Sequence, residues 1–388
     1  MDKKKVQLSL TGENSHEIFI PLGQGSLAIG NLGMNEKDFD ILIDEKLKIN
    51  WDTFNTHFTG HGEQNREMYP YGNWPRFFYY SGNDLGFVKW TEKRKTEDFS
   101  WTPQKSISAD LTKVNIRNLS IQSRGVKIDL KLGENITNLF LSGCIEKFNI
   151  EANDGITSLN IYPTVSNDTT YQLPQLNTLK EVTSLSISVS PLEQPIDCKS
   201  LLQFENLTHL NLSGNLINLD CLRNLNRLQS LAIRYAPNLE KLPSLKSWEH
   251  LTRFIAWNVE EAKGKLLRSE LKKLAKEREL EYSSVSLLRK KIWFTTEYGI
   301  PFSSWEGKKA KPAIKAYKAV LKKLKKAKTE SDIKNLLIEF TKTFNDFSDI
   351  ETKEREDIWE AVNQLRQVPT LIIDAKKANK WFDEFRDY

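Results

Sequence analysis

Three cysteines, three methionines and five histidines are few for a chain of 388 residues, and each scarcity removes a class of chemistry. Cys144, Cys198 and Cys221 are odd in number and stand in no CxxC or Cys/His cluster, so they are expected as core-filling thiols rather than metal ligands or redox partners. His57 and His61 are four apart with Glu63 nearby, a spacing that shares a face only on a helix. Thr59-Gly60 between them argues against a helix and HExxH is absent, so a loop is expected. Phosphate loops are equally thin: GxxxxGK[ST] is missing, and Gly23-Gln24-Gly25-Ser26-Leu27-Ala28 is a degenerate GxGxxA. It runs on into Gly30-Asn31-Leu32-Gly33 where a helix should begin, so it is read as a turn. No Ser/His/Asp or Cys/His order has a usable spacing, so no nucleophilic enzyme and no cofactor are expected. No stretch reaches the roughly 18 apolar residues of a membrane span. Lys3, Lys4 and Lys5 precede an apolar patch at 6–10 that is shorter than a signal h-region of about 7–15 residues. A cytoplasmic protein without membrane contact is therefore expected, and the sequons at Asn118, Asn135 and Asn206 then carry no meaning.

What the chain does have is repetition. Seven stretches read LTKVNI from Leu111, ITNLFL from Ile136, ITSLNI from Ile156, VTSLSI from Val182, LTHLNL from Leu207, LQSLAI from Leu228 and LTRFIA from Leu251. Each has apolar residues at its first, fourth and sixth positions, and Thr stands second in all but one. Their starts lie 25, 20, 26, 25, 21 and 23 residues apart. Apolar residues at alternate positions of a strand bury one face and present the other. A unit of this length cannot bury its apolar face alone, so neighbours are expected to stack into a parallel sheet over a continuous core.

The unit from Leu207 continues through Leu210, Leu212, Asn215 and Ile217 as a full LxxLxLxxNxL, and the spacing lies within the 20–29 residues of leucine-rich repeats. Residues 106–262 thus resemble the leucine-rich-repeat superfamily, with irregular units: only the unit from Leu207 keeps the Asn, and Cys144 takes its place in the unit from Ile136. The resemblance implies an α/β solenoid whose exposed sheet side, the concave face, binds a partner. The residues between the buried positions form three columns on that side. The third-position column runs Lys113, Asn138, Ser158, Ser184, His209, Ser230 and Arg253; the fifth contains Phe140, the seventh Arg117, Tyr162, Arg234 and Trp257. The middle is small and polar, whereas Arg234, Tyr235, Arg253 and Trp257 gather at the last two units. Arg, Tyr and Trp most often dominate protein interfaces, so these four, with His209, Tyr162 and Phe140, are the expected partner-binding residues.

Two flanking regions complete a three-part organisation of 1–105, 106–262 and 263–388. Residues 1–105 combine strand-like segments such as 17–20 and 77–80, Gly-rich turns, and Trp51, Trp74, Trp90 and Trp101, which suits a β-rich domain or a cap on the first repeat. After Trp257 the period becomes helical, with Leu266, Leu267, Leu271 and Leu274 on one stripe. An aromatic segment at 293–305 follows, either docking the bundle or lining a pocket with Glu297, Ser303 and Ser304. Helices are then expected on the stripe Ile314, Tyr317, Leu321, Leu324, after Thr329-x-x-Asp332, after Ser348-x-x-Glu351, and around Trp381, Phe382 and Phe385, making an α-helical bundle.

The net charge of +5 conceals an asymmetry: residues 262–328 hold 20 Lys/Arg against 6 Asp/Glu, while the rest of the chain is acidic. The leading expectation is a non-catalytic protein-binding module, in a narrower form one that sequesters or neutralises its partner. A nucleic acid or an acidic protein held by the Lys-rich segment 263–328 is the first alternative. An enzyme with an unrecognised site in 1–105 or 293–305 is the second.

Overall fold

A computed structural model describes residues 5–21, 26–55, 77–152, 155–164, 170–190, 192, 194–305, 307–348 and 350–388. His57, His61, Glu63, Gly23, Gly25 and Trp74 lie outside the described residues. The chain divides into two compact units, Met1–Arg289 and Lys290–Tyr388.

The first unit is α/β and is built on one large parallel sheet. Among the described residues its strands are β1 (Ser26–Asn31), β2 (Ile41–Ile43), β3 (Phe77–Tyr80), β4 (Thr96–Trp101), β5 (Ile116–Ser123), β6 (Asn138–Gly143), β7 (Ser158–Pro163), β8 (Ser184–Ser188), β9 (His209–Ser213), β10 (Ser230–Arg234), β11 (Arg253–Trp257) and β12 (Tyr282–Ser286). From β3 to β12 spatial order follows chain order, with β1 beside β3 and β2 outermost. Every pairing in this sheet is parallel. A second parallel ladder joins Ile107–Leu111, Ile128–Leu132 and Phe148–Ala152.

The expected alternation is present: β9 and β11 alternate between outward and fully buried positions. Leu139, Leu141, Leu159, Ile161, Leu185, Ile187, Leu210, Leu212, Leu231, Ile233, Phe254 and Ala256 are at most 1% exposed. Each large aliphatic side chain buried in this way stabilises the fold by about 1.5–3 kcal/mol. The recurring Thr has a backbone role. The N–H of Thr157 donates to Thr137 O, that of Thr183 to Thr157 O and that of Thr208 to Thr183 O, at 2.8–3.1 Å. The Asn before the first apolar position binds the preceding turn: Asn115 Nδ2 donates to Glu92 O at 2.6 Å, Asn135 Nδ2 to Val114 O at 3.1 Å and Asn206 Nδ2 to Lys180 O at 3.0 Å.

Several strands also leave the sheet in the same way. The residue after the last outward position has φ of +86° at Gly143, +126° at Gly214, +52° at Tyr235, +52° at Asn258 and +49° at Leu287. Gly143 is required on two counts, because a Cβ there would sit 1.9 Å from Ser123 O.

Three features depart from the sequence reading. The boundary expected at 105/106 does not coincide with a break: β4 pairs with β5, and one hydrophobic core runs from Leu8 to Leu274. The aromatics of 1–105 form the first part of that core. Trp51 meets Tyr80 edge-on at 5.3 Å and Phe87 at 5.9 Å, and Asp84 Oδ1 accepts from its indole at 3.2 Å. The boundary expected at 262/263 likewise falls inside the first unit, since α2 (Glu261–Glu277) is followed by β12, which pairs with β11. Finally, the strand near Leu111 starts later than the LTKVNI phase implies. Asn118, not Lys113, is in register with Asn138, because Leu111 is the buried last residue of the second-ladder strand Ile107–Leu111 and Val114 a core residue of the turn before β5. The helix α1 (Gly86–Glu92) adds Phe87 and Trp90 to the core; on α2, Leu267, Leu271 and Leu274 are buried but Leu266 is 64% exposed.

The second unit is helical: α3 (Lys291–Thr296), α4 (Gly307–Leu324), α5 (Glu330–Lys342), α6 (Thr352–Leu365) and α7 (Ala375–Phe385). Its core gathers Phe302, Tyr317, Phe340, Phe344, Ile358, Leu365 and Phe382, so Phe302 of the aromatic segment is a core residue. Thr329 caps α5 by accepting from Asp332 N at 3.1 Å. The cap of α6 is Glu351 in a box with Glu354, three residues later than the Ser348 expected from the sequence.

Candidate functional site

The outward face of the large sheet is a set of three columns whose partners are set by register. One column is Asp98, Asn118, Asn138, Ser158, Ser184, His209, Ser230, Arg253 and Tyr282; the next passes through Ser120, Phe140, Asn160, Ser186, Asn211, Ala232, Ile255 and Ser284. The last passes through Gln122, Ser142 and Tyr162, and, further on, Ser213, Arg234, Trp257 and Ser286. From Asn118 to Ser286 no outward position of these columns is Asp or Glu.

The polar middle is hydrogen-bonded to itself. Asn118 Nδ2 donates to Asp98 Oδ1 at 2.9 Å and Asn138 Nδ2 to Asn118 Oδ1 at 2.5 Å, so three strands share one ladder. A second ladder runs from Asn211 Nδ2 to Ser186 Oγ at 3.0 Å, and Arg234 Nη1 donates to Asn211 Oδ1. Amides spent in this way stiffen the sheet and leave few groups for a ligand.

The expected site residues do not form one cluster. Arg234, Tyr235 and Trp257 gather where β10 and β11 end, whereas Arg253 opens β11 four residues away. Tyr235 meets the Trp257 ring edge-on, with centroids 5.0 Å apart and planes at 80°. Arg253 is exposed and lies over Tyr282, its guanidinium carbon 5.2 Å from the ring centroid. Among the described residues neither Arg234 nor Arg253 makes an ion pair. His209 is exposed one strand beyond β10, its Nδ1 sharing a hydrogen bond of 2.8 Å with Thr208 Oγ1. Phe140 on β6 and Tyr162 on β7 stand apart: β7 is three strands from β10, about 14 Å at the usual spacing, although Tyr162 is 48% exposed.

Tyr282 accompanies Arg253 and was missed in the sequence. Its signal was Leu280-x-Tyr282-x-x-Val285, a further unit delayed by the insertion of α2. Tyr235 carries a further mark. A non-glycine residue in the left-handed region costs about 1–2 kcal/mol, so the turn holds this ring against Trp257 at the expense of backbone strain.

Other candidate chemistry is weaker. A cleft of about 220 Å³ lies where β4, β5 and β6 begin, lined by Lys95, Thr96, Asn115, Arg117, Asn135 and Thr137, but the Asn115 and Asn135 amides bind backbone carbonyls. Burial holds the Cys198 thiol far above its ordinary value and pushes that of Cys221 up to about 11, so both are poor nucleophiles at neutral pH. Among the described residues no three His, Cys, Asp or Glu side chains group as a metal site requires, and no helix is long and apolar enough to cross a membrane. Ser26–Asn31, following the glycines at 23 and 25, is a strand and not the helix a dinucleotide loop needs. On α4, Lys309 faces Glu354 at 3.6 Å, Lys318 faces Glu297 at 3.4 Å and Lys323 faces Glu339 at 3.9 Å.

Comparison with models of known families, with curated proteins and with solved structures finds no match for this chain.

Proposed function

We propose that the chain is a cytoplasmic, non-catalytic protein-binding module. In this reading residues 106–262 are a leucine-rich-repeat solenoid, extended by β3 and β4 before it and β12 after it, and the partner docks on the outward face of β10–β12. The observation that carries the reading is the concentration of Arg and aromatic side chains on the outward face of β10–β12, with Arg234, Tyr235 and Trp257 at one end and Arg253 with Tyr282 at the other. Aromatic and Arg side chains grouped in one place are the usual composition of an interface hot spot. Sequestration of one partner is the narrower form of the proposal, and it rests on the breadth of the face alone.

The test is affinity capture with the full chain at low and high salt, comparing wild type with the Arg234→Ala/Trp257→Ala variant after circular dichroism shows both to be folded. A protein retained by wild type at both salt concentrations and lost by the variant is the expected result. Equal capture by both that fades with salt would overturn the reading and transfer function to the Lys-rich segment, since binding through many lysines is steeply salt-dependent.

A further inference from the structure

The proposed docking face carries a spacing that its partner must match. Arg253 opens β11, whereas Arg234 closes β10, one strand away and four residues further along, since Arg234 is in register with Trp257. At about 3.3 Å per residue and about 4.8 Å between strands, their Cα atoms stand roughly 14 Å apart. Between them the face is apolar and low, made of Ala232 and Ile255, which are themselves in register. Tyr282 orients one guanidinium and Asn211 the other, so both cations are held in place with no carboxylate partner among the described residues.

We infer that the partner presents an extended acidic segment of the pattern [Asp/Glu]-x-[apolar]-x-[Asp/Glu], laid obliquely over β10 and β11 from the Tyr282 side to the Asn211 side. The inference rests on the module reading and deepens it. In an extended chain residues i, i+2 and i+4 share one face, and i to i+4 spans about 13 Å. One carboxylate then meets Arg253, the apolar side chain lies over Ile255 and Ala232, and the other carboxylate meets Arg234 where Asn211 holds it. The pattern is symmetric, so either chain direction satisfies it. The same two residues on a helix would be only about 6 Å apart and could not bridge the pair. Charge complementarity selects the acidic segment: this part of the sheet offers two fixed cations and no outward carboxylate. Two cations around an apolar floor fit a peptide better than a nucleic acid, which is held by many phosphate contacts.

The test uses the full chain and labelled synthetic peptides with neutral Gly-Ser flanks, measured by fluorescence anisotropy. The probes are Glu-Ser-Leu-Ser-Glu, its Gln-Ser-Leu-Ser-Gln counterpart, and a Glu-Leu-Glu peptide with the shorter spacing. The first is expected to bind at least about tenfold more tightly than either other, the difference charge-assisted hydrogen bonds supply. Arg234→Gln and Arg253→Gln should each abolish that preference, and the Arg234→Glu/Arg253→Glu variant should instead prefer Lys-Ser-Leu-Ser-Lys. Equal binding of the Glu and Gln peptides, including no binding of either up to millimolar concentration, overturns the inference. So does Arg-dependent binding of a single-stranded oligonucleotide in place of the peptide. A partner captured through Trp257 but indifferent to Arg234→Gln/Arg253→Gln would sink the spacing while leaving the module reading intact.

Discussion

The two units treat positive charge in opposite ways. The helical unit holds ten lysines between residues 308 and 328, and three of those on α4 face carboxylates of neighbouring segments. The sheet unit places two arginines on its outward face, with no carboxylate in the outward columns from Asn118 to Ser286. The difference teaches that charge density and charge availability are separate properties. Exposed, flexible Lys–Glu pairs contribute little and present a solvated surface. Guanidinium groups oriented by an aromatic ring or an amide are pre-organised to bind a carboxylate. The units also differ in how they are built: one core runs along the sheet layer by layer, whereas the other is a compact cluster around Phe302, Phe340 and Phe344.

The largest expected effect separates the two cores. Trp248 is fully buried and its Nε1 donates to Leu222 O at 3.1 Å. Trp248→Ala should destabilise the sheet unit by about 3–5 kcal/mol and leave the helical unit unchanged. Hydrogen exchange read by mass spectrometry reports each unit separately, and equal loss of protection in both would break the comparison.

A smaller effect concerns the strained turn. Tyr235→Ala and Tyr235→Gly both remove the contact with Trp257, but only glycine relieves the left-handed backbone. The Gly variant should therefore be more stable than the Ala variant by about 1–2 kcal/mol in urea denaturation, while both weaken partner binding. If the two variants unfold alike, the turn stores no strain.

The units should also diverge in acid. Burial raises the Asp357 carboxyl above its ordinary value of 3.8, although Trp305 Nε1 donates to it at 2.8 Å. The folded helical unit thus binds this proton more tightly than the unfolded chain. Its contribution to stability is full below the ordinary value and is lost as pH rises through the raised one. In the sheet unit Asp110 and Asp129 are lowered, chiefly by hydrogen bonds from Thr112 and Asn149, so their contribution is instead lost as pH falls. The stability difference between wild type and Asp357→Asn, followed across the acidic range, should slope in the helical unit alone. A flat difference would contradict the burial argument.

The smallest effect is kinetic. With its thiol pushed up to about 11, Cys221 is about one part in ten thousand thiolate at pH 7, and Cys198 is less ionised still. Iodoacetamide should label both far more slowly in the native protein than in urea. Native labelling of Cys198 at the unfolded rate would reveal local opening of the sheet unit and blur the contrast with the helical core.

The strands from Asn138 to Trp257 were legible because alternating apolar residues recur where neighbours stack, and a strand in such a sheet must alternate. The phase near Leu111 was not, because Leu111, Val114 and Ile116 satisfy the same apolar spacing as Ile116, Leu119 and Ile121. Only the second set pairs with β6, and the hydrogen-bond register chooses between them. At the far end, Tyr282–Ser286 is nearly all polar and follows a 17-residue helix, so only Leu280 and Val285 mark it locally as a sheet strand. At the near end, 51 residues separate the paired Ser26 and Phe77, which hides the continuity of the sheet through the first hundred residues.

From Asn138 to Trp257 periodicity alone determined which side chains face inward and which outward, because burial follows from local alternation and a sheet has only two faces. The arrangement of the outward face was decided by tertiary structure. Arg253 and Tyr282 are 29 residues apart, and Arg234 and Asn211 are 23 apart. They meet because register sets neighbours across strands, and register depends on the whole stack rather than on any one segment.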